Sequence, residues 1–303
     1  MSPHSDNPSA SAHITTQSQL TPTIYAWQIY LDDQGRSPHT VKAFTADLNL
    51  LASYLPPDRT IGSITTTDLN NFLDWMQTGR GVPCSPKTLA RRITSIKAFF
   101  RWLHSNGVLI VDPAEQVMQK SVISPLPTVL SPDEIDGILA AADEHGHGPN
   151  PDTRYFALVE LLLTTGIKKS ECLALNLNHV DLDAPAGPIL FVRYANPQYR
   201  YKERKIALSD SWVAFYPQYK SQYNLSDRLF PWSPRRLEYL LEDLSNEAGI
   251  EKHLSFEMCR WTCALTDWRS GMEHDKIRQK LGISKIQWRE VSMKLKKLAG
   301  NQQ

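Results

Sequence analysis

Leu161-Leu-Leu-Thr-Thr-Gly-Ile-Lys-Lys-Ser-Glu-Cys-Leu-Ala-Leu175 is the stretch on which the fold is decided. An apolar helical run meets a break at Thr164-Thr165-Gly166. A short charged helix start follows, Lys168 to Glu171, and apolar residues then return at Cys172, Leu173 and Leu175. Glycine after such a run stops a helix, because it alone adopts the left-handed turn at little cost.

The chain around this stretch is long enough for about two domains, at 303 residues. Its 41% apolar and 21% charged content is that of a soluble globular protein. A net charge of +1 excludes a bulk polycation, so any affinity for nucleic acid must come from local clusters. Cys84, Cys172, Cys259 and Cys263 form no CxxC pair and no zinc spacing, which predicts small buried thiols in a reducing compartment. No secretory hydrophobic region opens the chain and no apolar run has membrane-spanning length, so a cytoplasmic protein is expected.

Upstream of the break, Phe156–Leu163 reads as an apolar helix. Leu130-Ser-Pro-Asp-Glu-Ile is a capped helix start, with Ser131 as cap, Pro132 in the first turn, and two acids near the positive end of the helix dipole. His145 and His147, in a Gly/Pro-rich loop without further ligands, read as solvated. The Pro-punctuated residues 119–128 read as a linker. Before them, Ser85 caps a helix over Pro86–Ser105, whose Leu89, Ile93, Ile96, Phe100 and Leu103 make one buried stripe. Lys87, Arg91 and Arg101 project from its other face, with Arg92 and Lys97 at the margins, and no acid occurs from Ser85 to Leu103. Such a face is either merely solvated or able to hold phosphates. Further helices are expected over about Thr23–Tyr30, Thr40–Tyr54 (capped by Ser37) and Thr65–Met76, and residues 1–20 read as a disordered tail.

Downstream, Val180, Ile189–Tyr194 and Lys205–Leu208 read as short strands. A basic, aromatic turn joins the last two, with Arg193, Arg200, Lys202, Arg204 and Lys205 against one acid, Glu203. Helices follow over Arg235–Leu244, Leu254–Ser270, Lys276–Leu281 and Ile286–Leu298.

Three of these stretches carry a family resemblance. Thr165-Gly-Ile-Lys-Lys-Ser-Glu-Cys resembles the box T-G-[LIM]-R-x-[SG]-E-[LI] of tyrosine recombinases, the phage-type integrases. Ser85-Pro-Lys-Thr-Leu-Ala-Arg-Arg-Ile-Thr-Ser-Ile-Lys-Ala-Phe-Phe-Arg-Trp-Leu103 is similar to the late motif of their core-binding domain, and Asp112-Pro-Ala114 to the turn before their interdomain linker. The likeness runs along almost all of Thr21–Leu298. It implies an all-α, SAM-like, four-helix core-binding domain over 21–118. A mainly α, catalytic-like α+β domain with a small antiparallel sheet is implied over 129–300. It also implies double-stranded DNA as partner, clamped between the two domains.

The family's chemistry has a tyrosine attack the scissile phosphate. Two arginines stabilise the transition state, a lysine protonates the leaving oxygen, and histidine or tryptophan groups assist. Carried over position by position, the first arginine falls on Lys168, which keeps the charge without the planar fork. The lysine falls on Tyr199, beside Arg200; Lys202 and Arg204 match the tail of that motif. The H-x-x-R box places Glu257 at its histidine, retains Arg260, and has Trp261 next. The later histidine or tryptophan is Ile283, and the nucleophile position is Ser292. No tyrosine occurs after Tyr239. Five of the six positions therefore depart, and only Arg260 is kept.

The expectation is a DNA-binding member of this family without strand transfer, acting as accessory or regulatory factor in recombination or integration of a mobile element. Lys87, Arg91, Arg92, Lys97 and Arg101 would face phosphates from one domain, and Lys168, Arg200, Lys202, Arg204 and Arg260 from the other. Partners would be an active recombinase or further copies of the chain on DNA. No cofactor or metal is expected. Two alternatives remain open: an active integrase with Ser292 or an in-trans group as nucleophile, and a protein-interaction module that ignores DNA.

Overall fold

The computed structural model describes residues 14–118 and 125–300. The chain divides into two units, Met1–Ser124 and Pro125–Gln303.

The first unit is helical: α1 (Leu20–Asp33), α2 (Pro38–Tyr54), α3 (Thr66–Asp74) and α4 (Pro86–Ser105). Local chemistry starts these helices where expected. The Ser37 hydroxyl accepts the Thr40 N–H at 3.2 Å, and Ser85 accepts that of Thr88 at 3.3 Å. Thr65 and Asp68 cap α3 reciprocally, and Arg59 forks onto the Asp68 carboxylate at 2.9 and 2.8 Å. The stripe of α4 buries Ile93, Ile96, Phe99, Phe100 and Leu103 against Trp27 of α1, Leu48 and Leu51 of α2 and Phe72 of α3. Each such side chain contributes roughly 1.5–3 kcal/mol of burial. Trp27 meets Phe99 edge-on at 5.3 Å.

The tail expected over 1–20 is corrected in part. Residues 1–13 lie outside the described residues, but Ile14–Gln19 are placed. Ile14 packs on the core, and the N–H groups of Ile61 and Gly62 donate to Ser18 and Thr16 carbonyls at 2.9 Å. Of the expected linker, 119–124 likewise lie outside the described residues.

The second unit comprises α5 (Pro132–Glu144), α6 (Arg154–Thr165), α7 (Lys169–Leu173), β1 (Val180–Asp181), β2 (Ile189–Val192), β3 (Arg204–Ala207), α8 (Asp210–Gln222), α9 (Pro234–Glu247), α10 (Phe256–Arg269), α11 (His274–Leu281) and α12 (Lys285–Gly300). The strands form one antiparallel sheet in the order β1-β2-β3, with Leu190 opposite Ile206 and Phe191 opposite Lys205. Helix α6 is the centre of the core, with every residue from Ala157 to Leu163 buried. Trp212 of α8 donates its indole N–H to the Ala157 carbonyl at 2.9 Å, and the Tyr219 hydroxyl donates to the Leu229 carbonyl at 2.6 Å. A smaller apolar cluster, including Leu265, Ile277, Leu281 and Leu295, joins α10, α11 and α12.

His145 is not solvated as expected. Its ring stacks on Tyr155 at 3.7 Å and its Nε2 lies 2.7 Å from the Glu247 carboxylate. The four cysteines are free, three of them buried, with burial pushing the Cys259 thiol up to about 12 and the Cys263 thiol to about 11.

Candidate functional site

Gly166 ends α6 in the left-handed conformation, φ 60°, and its N–H donates to the Leu162 carbonyl at 3.0 Å. A Cβ there would lie 3.2 Å from Cys263 Sγ and 3.3 Å from Leu281 Cδ2, so the turn is also a close approach. The turn delivers Lys168 to the start of α7, where the Glu171 carboxylate accepts the Lys168 N–H at 2.8 Å.

Glu171, buried at 3% exposure, is the hub of this region. Arg204 of β3 forks onto it at 3.1 and 2.9 Å, and the Tyr194 hydroxyl donates to its Oε1. Burial works to raise the Glu171 pKa. The Arg204 bonds and charge, the Lys168 N–H and the Tyr194 hydroxyl overcome it and hold the carboxyl at about 2. The Lys168 ammonium stands 3.9 Å from Glu171 and is half exposed. Its pKa is lowered, first by burial, with Arg260, Lys202 and Arg204 pushing the same way against Glu171.

Arg260 enters the same region from α10 and is 9% exposed. One terminal nitrogen donates to the Gly166 carbonyl, and the other donates to the Leu281 carbonyl at 2.5 Å. The fork thus ties the α6 break to the end of α11. Burial foremost lowers its pKa, with Glu171 opposing.

Between these elements and α9 lies a pocket of about 270 Å³, lined by Lys168, Lys169, Glu238, His253, Glu257 and Arg260 among others. Lys169 pairs with Glu238 at 2.5 Å, and Glu257 accepts the Trp261 indole N–H at 2.9 Å. Lys169, Glu238 and His253 were not legible as site residues. His253 directly precedes the Leu254–Trp261 box, a weak signal, whereas nothing in the α9 sequence marks Glu238. The pocket wall offers cations to an anion, yet two carboxylates share the wall and no tyrosine lines it. Ser255 caps α10, its hydroxyl accepting the Met258 N–H at 3.2 Å. Ser292 donates its hydroxyl to the Arg289 carbonyl at 3.2 Å on α12. Ile283 and Arg204 line a separate cleft with Tyr201 and Arg278. Among the described residues no group of three or more His, Cys, Asp or Glu could hold a metal, and no helix is long and apolar enough to cross a membrane.

The basic residues expected to face phosphates sort into two groups. Lys87, Arg101 and Arg200 are exposed, and Lys202 is half-buried. Lys97 is half-buried, its ammonium donating to the Glu115 carbonyl at 3.2 Å. Arg91 and Arg92 require a correction. Both turn toward Asp47 of α2, which is 3% exposed and also accepts the Ser95 hydroxyl at 2.7 Å. Arg92 additionally donates to Cys84 Sγ at 3.0 Å, and its side chain is only 12% exposed. A buried carboxylate demands such partners, so α4's basic margin is partly a helix–helix tie. Arg204 and Arg260 need the same correction, since their forks are taken up by Glu171, the Lys280 carbonyl and the two carbonyls described above.

The protein-family description "Phage integrase, N-terminal SAM-like domain" matches residues 24–107, and "Phage integrase family" matches residues 128–290. Tyrosine recombinase XerD of Listeria innocua serovar 6a is 25% identical over 281 residues, which cover 88% of this chain and 91% of that protein. XerH site-specific recombinase bound to palindromic difH substrate superposes with a TM-score of 0.73 at 16% identity, over 93% of this chain and 83% of that one. A lambda integrase tetramer bound to a Holliday junction gives 0.71 at 15% identity, over 96% and 82%. The helical first unit, the mostly helical second unit with its small antiparallel sheet, and the glycine break with Arg260 behind it are one consistent whole: this chain belongs to the phage integrase family of tyrosine recombinases.

Proposed function

We propose that this chain binds double-stranded DNA and does not carry out strand transfer, serving as an accessory factor to an active recombinase of a mobile element. One observation carries the reading: the retained arginine of the family's site, Arg260, has both terminal nitrogens bonded to main-chain carbonyls. Two of its five N–H donors are thus spent on the main chain and the side chain is buried, which suits a strut between α6 and α11. Around it, Lys168 supplies charge without a fork, Glu257 brings a carboxylate to the pocket, and no tyrosine follows Tyr239 in the sequence. The cations that remain accessible, Lys87, Arg101, Lys168, Arg200 and Lys202, suit charge neutralisation of a phosphate backbone. XerH is bound to its difH substrate and a lambda integrase tetramer to a Holliday junction in their structures, which supports the same partner and assembly on it.

Two measurements test this. In a salt series on linear duplex, the logarithm of the association constant should fall against log salt with a slope of about −4 to −5 if those five cations each neutralise one phosphate. A flat line at the affinity of a neutral control protein would end the DNA reading. On nicked suicide duplex, denaturing gels should show no covalent protein–DNA band. Such a band would overturn the loss of strand transfer, and its disappearance in Ser292→Ala would name the nucleophile.

A further inference from the structure

We infer that the β2–β3 hairpin is a stacking platform for unpaired nucleotides, with Tyr199 and Tyr201 taking bases and the cations between them taking the backbone. The inference rests on the DNA-binding reading and deepens it.

Aromatic rings and cations alternate along the hairpin. On the sheet's outward face Phe191 stands opposite Lys205, with the Arg193 guanidinium 4.3 Å from its ring centroid and the Lys205 ammonium at 6.0 Å. Toward the turn, the Lys202 ammonium is shared by two rings, 4.6 Å from the Tyr199 centroid and 5.3 Å from that of Tyr201. Tyr199 is 38% and Tyr201 73% exposed. Neither phenol hydroxyl has a hydrogen-bond partner among the described residues; Tyr199 leans on the Tyr194 ring at 6.0 Å, which sets its orientation. Glu203, the one acid between Arg193 and Lys205, points back into the hairpin and accepts the Tyr194 N–H at 3.0 Å. The outer surface is left with rings and positive charge.

That pairing selects its ligand. Phosphates of a closed duplex need only cations, and exposed rings add nothing, because the faces of paired bases are already stacked on one another. Unstacked bases offer free π-faces, and an aromatic ring beside a cation is the arrangement that holds a base together with its phosphate. Two rings sharing one ammonium provide for two neighbouring nucleotides. The sites lie outside the Lys168–Arg260 pocket, so the function concerned is recognition of opened DNA.

The test compares fluorescence anisotropy of the full chain on a labelled duplex containing a central unpaired bubble and on the same duplex fully paired. Stacking is typically worth enough that removing both rings, in Tyr199→Leu/Tyr201→Leu, should weaken bubble binding by at least about tenfold. Paired-duplex binding should change by less than about threefold. The Tyr199→Phe/Tyr201→Phe variant, which keeps both ring faces, should retain bubble affinity, and matched thermal melting curves exclude a folding defect in either variant. Equal losses on both duplexes, or no loss on the bubble, would overturn the inference. If the native chain binds paired duplex with a salt slope but shows no preference for the bubble, the platform fails while the DNA-binding reading stands. If it binds neither, both fall. If the leucine variant instead changes self-association by mass photometry and leaves bubble binding intact, the rings serve a protein contact and the inference is wrong.

Discussion

Glu171→Ala is expected to destabilise the second unit by about 3–5 kcal/mol, the range seen when one member of a buried ion pair is removed. The carboxylate accepts from both arms of the Arg204 guanidinium, from the Tyr194 hydroxyl and from the Lys168 N–H. Removing it leaves Arg204, with a side chain 8% exposed, facing an empty hole. The N-terminus of α7 loses its acceptor as well. Urea unfolding at neutral pH measures the loss, and a decrease under about 1 kcal/mol would show that the pair is not the hub described above. The same carboxyl gives a pH signature. Its folded-state pKa is about 2 against an ordinary 4.5, so its contribution is fully present above about pH 4.5 and is lost as pH falls toward 2. The difference corresponds to about 3 kcal/mol at 1.36 kcal/mol per unit, in line with the expected cost of the deletion. Between those two pH values the native chain should therefore lose stability faster than Glu171→Gln, which has no charge to titrate.

How much of this was readable beforehand depended on where the deciding partner lies. Helix α4 was legible to the residue, because its cap, its proline and its apolar stripe are all within Ser85–Ser105. The α6 break was legible for the same reason: Gly166 announces the left-handed turn in its own sequence. Helix α8 was missed. Pro217 sits inside it, an ordinary helix stop, although Ser209 caps it and its buried Trp212, Tyr216 and Tyr219 recur at helical spacing. Tertiary bonds from Trp212 and Tyr219 help hold it in place despite the proline. The direction of the arginines was hidden in the same way. Helical spacing puts Arg91 opposite the apolar stripe and Arg92 at its margin, both open to phosphates, since no acid occurs from Ser85 to Leu103. The acid that captures them, Asp47, is on α2, 44 and 45 residues away in sequence. Likewise the family motif located Arg204 and Arg260 as positions, but a motif says nothing of which carbonyls or carboxylates wait for their forks.

That last distinction governs Arg260→Ala, expected to cost about 3 kcal/mol of stability without weakening DNA binding more than about twofold. Hydrogen bonds to a charged group contribute about 1.5–3 kcal/mol each, and two are lost here, offset in part by release of the guanidinium from burial. The carbonyls of Gly166 and Leu281 would be left without their donor, and the α6 break would come loose from the end of α11. A phosphate-contacting arginine behaves otherwise: its removal reduces the salt slope of DNA association by about one and leaves the unfolding free energy nearly unchanged. The two readouts therefore separate a strut from a binding group in one variant. Arg260→Lys sharpens the comparison, because a single ammonium cannot span both carbonyls as a planar fork does. It should recover less than half of the lost stability while keeping the charge. A lysine variant with native stability, or an alanine variant with a shallower salt slope, would place the Arg260 fork on a phosphate and reopen the possibility of chemistry at the pocket. The opposite result would mark Arg260 as the strut that ties the Gly166 carbonyl to that of Leu281, and so the α6 break to the end of α11.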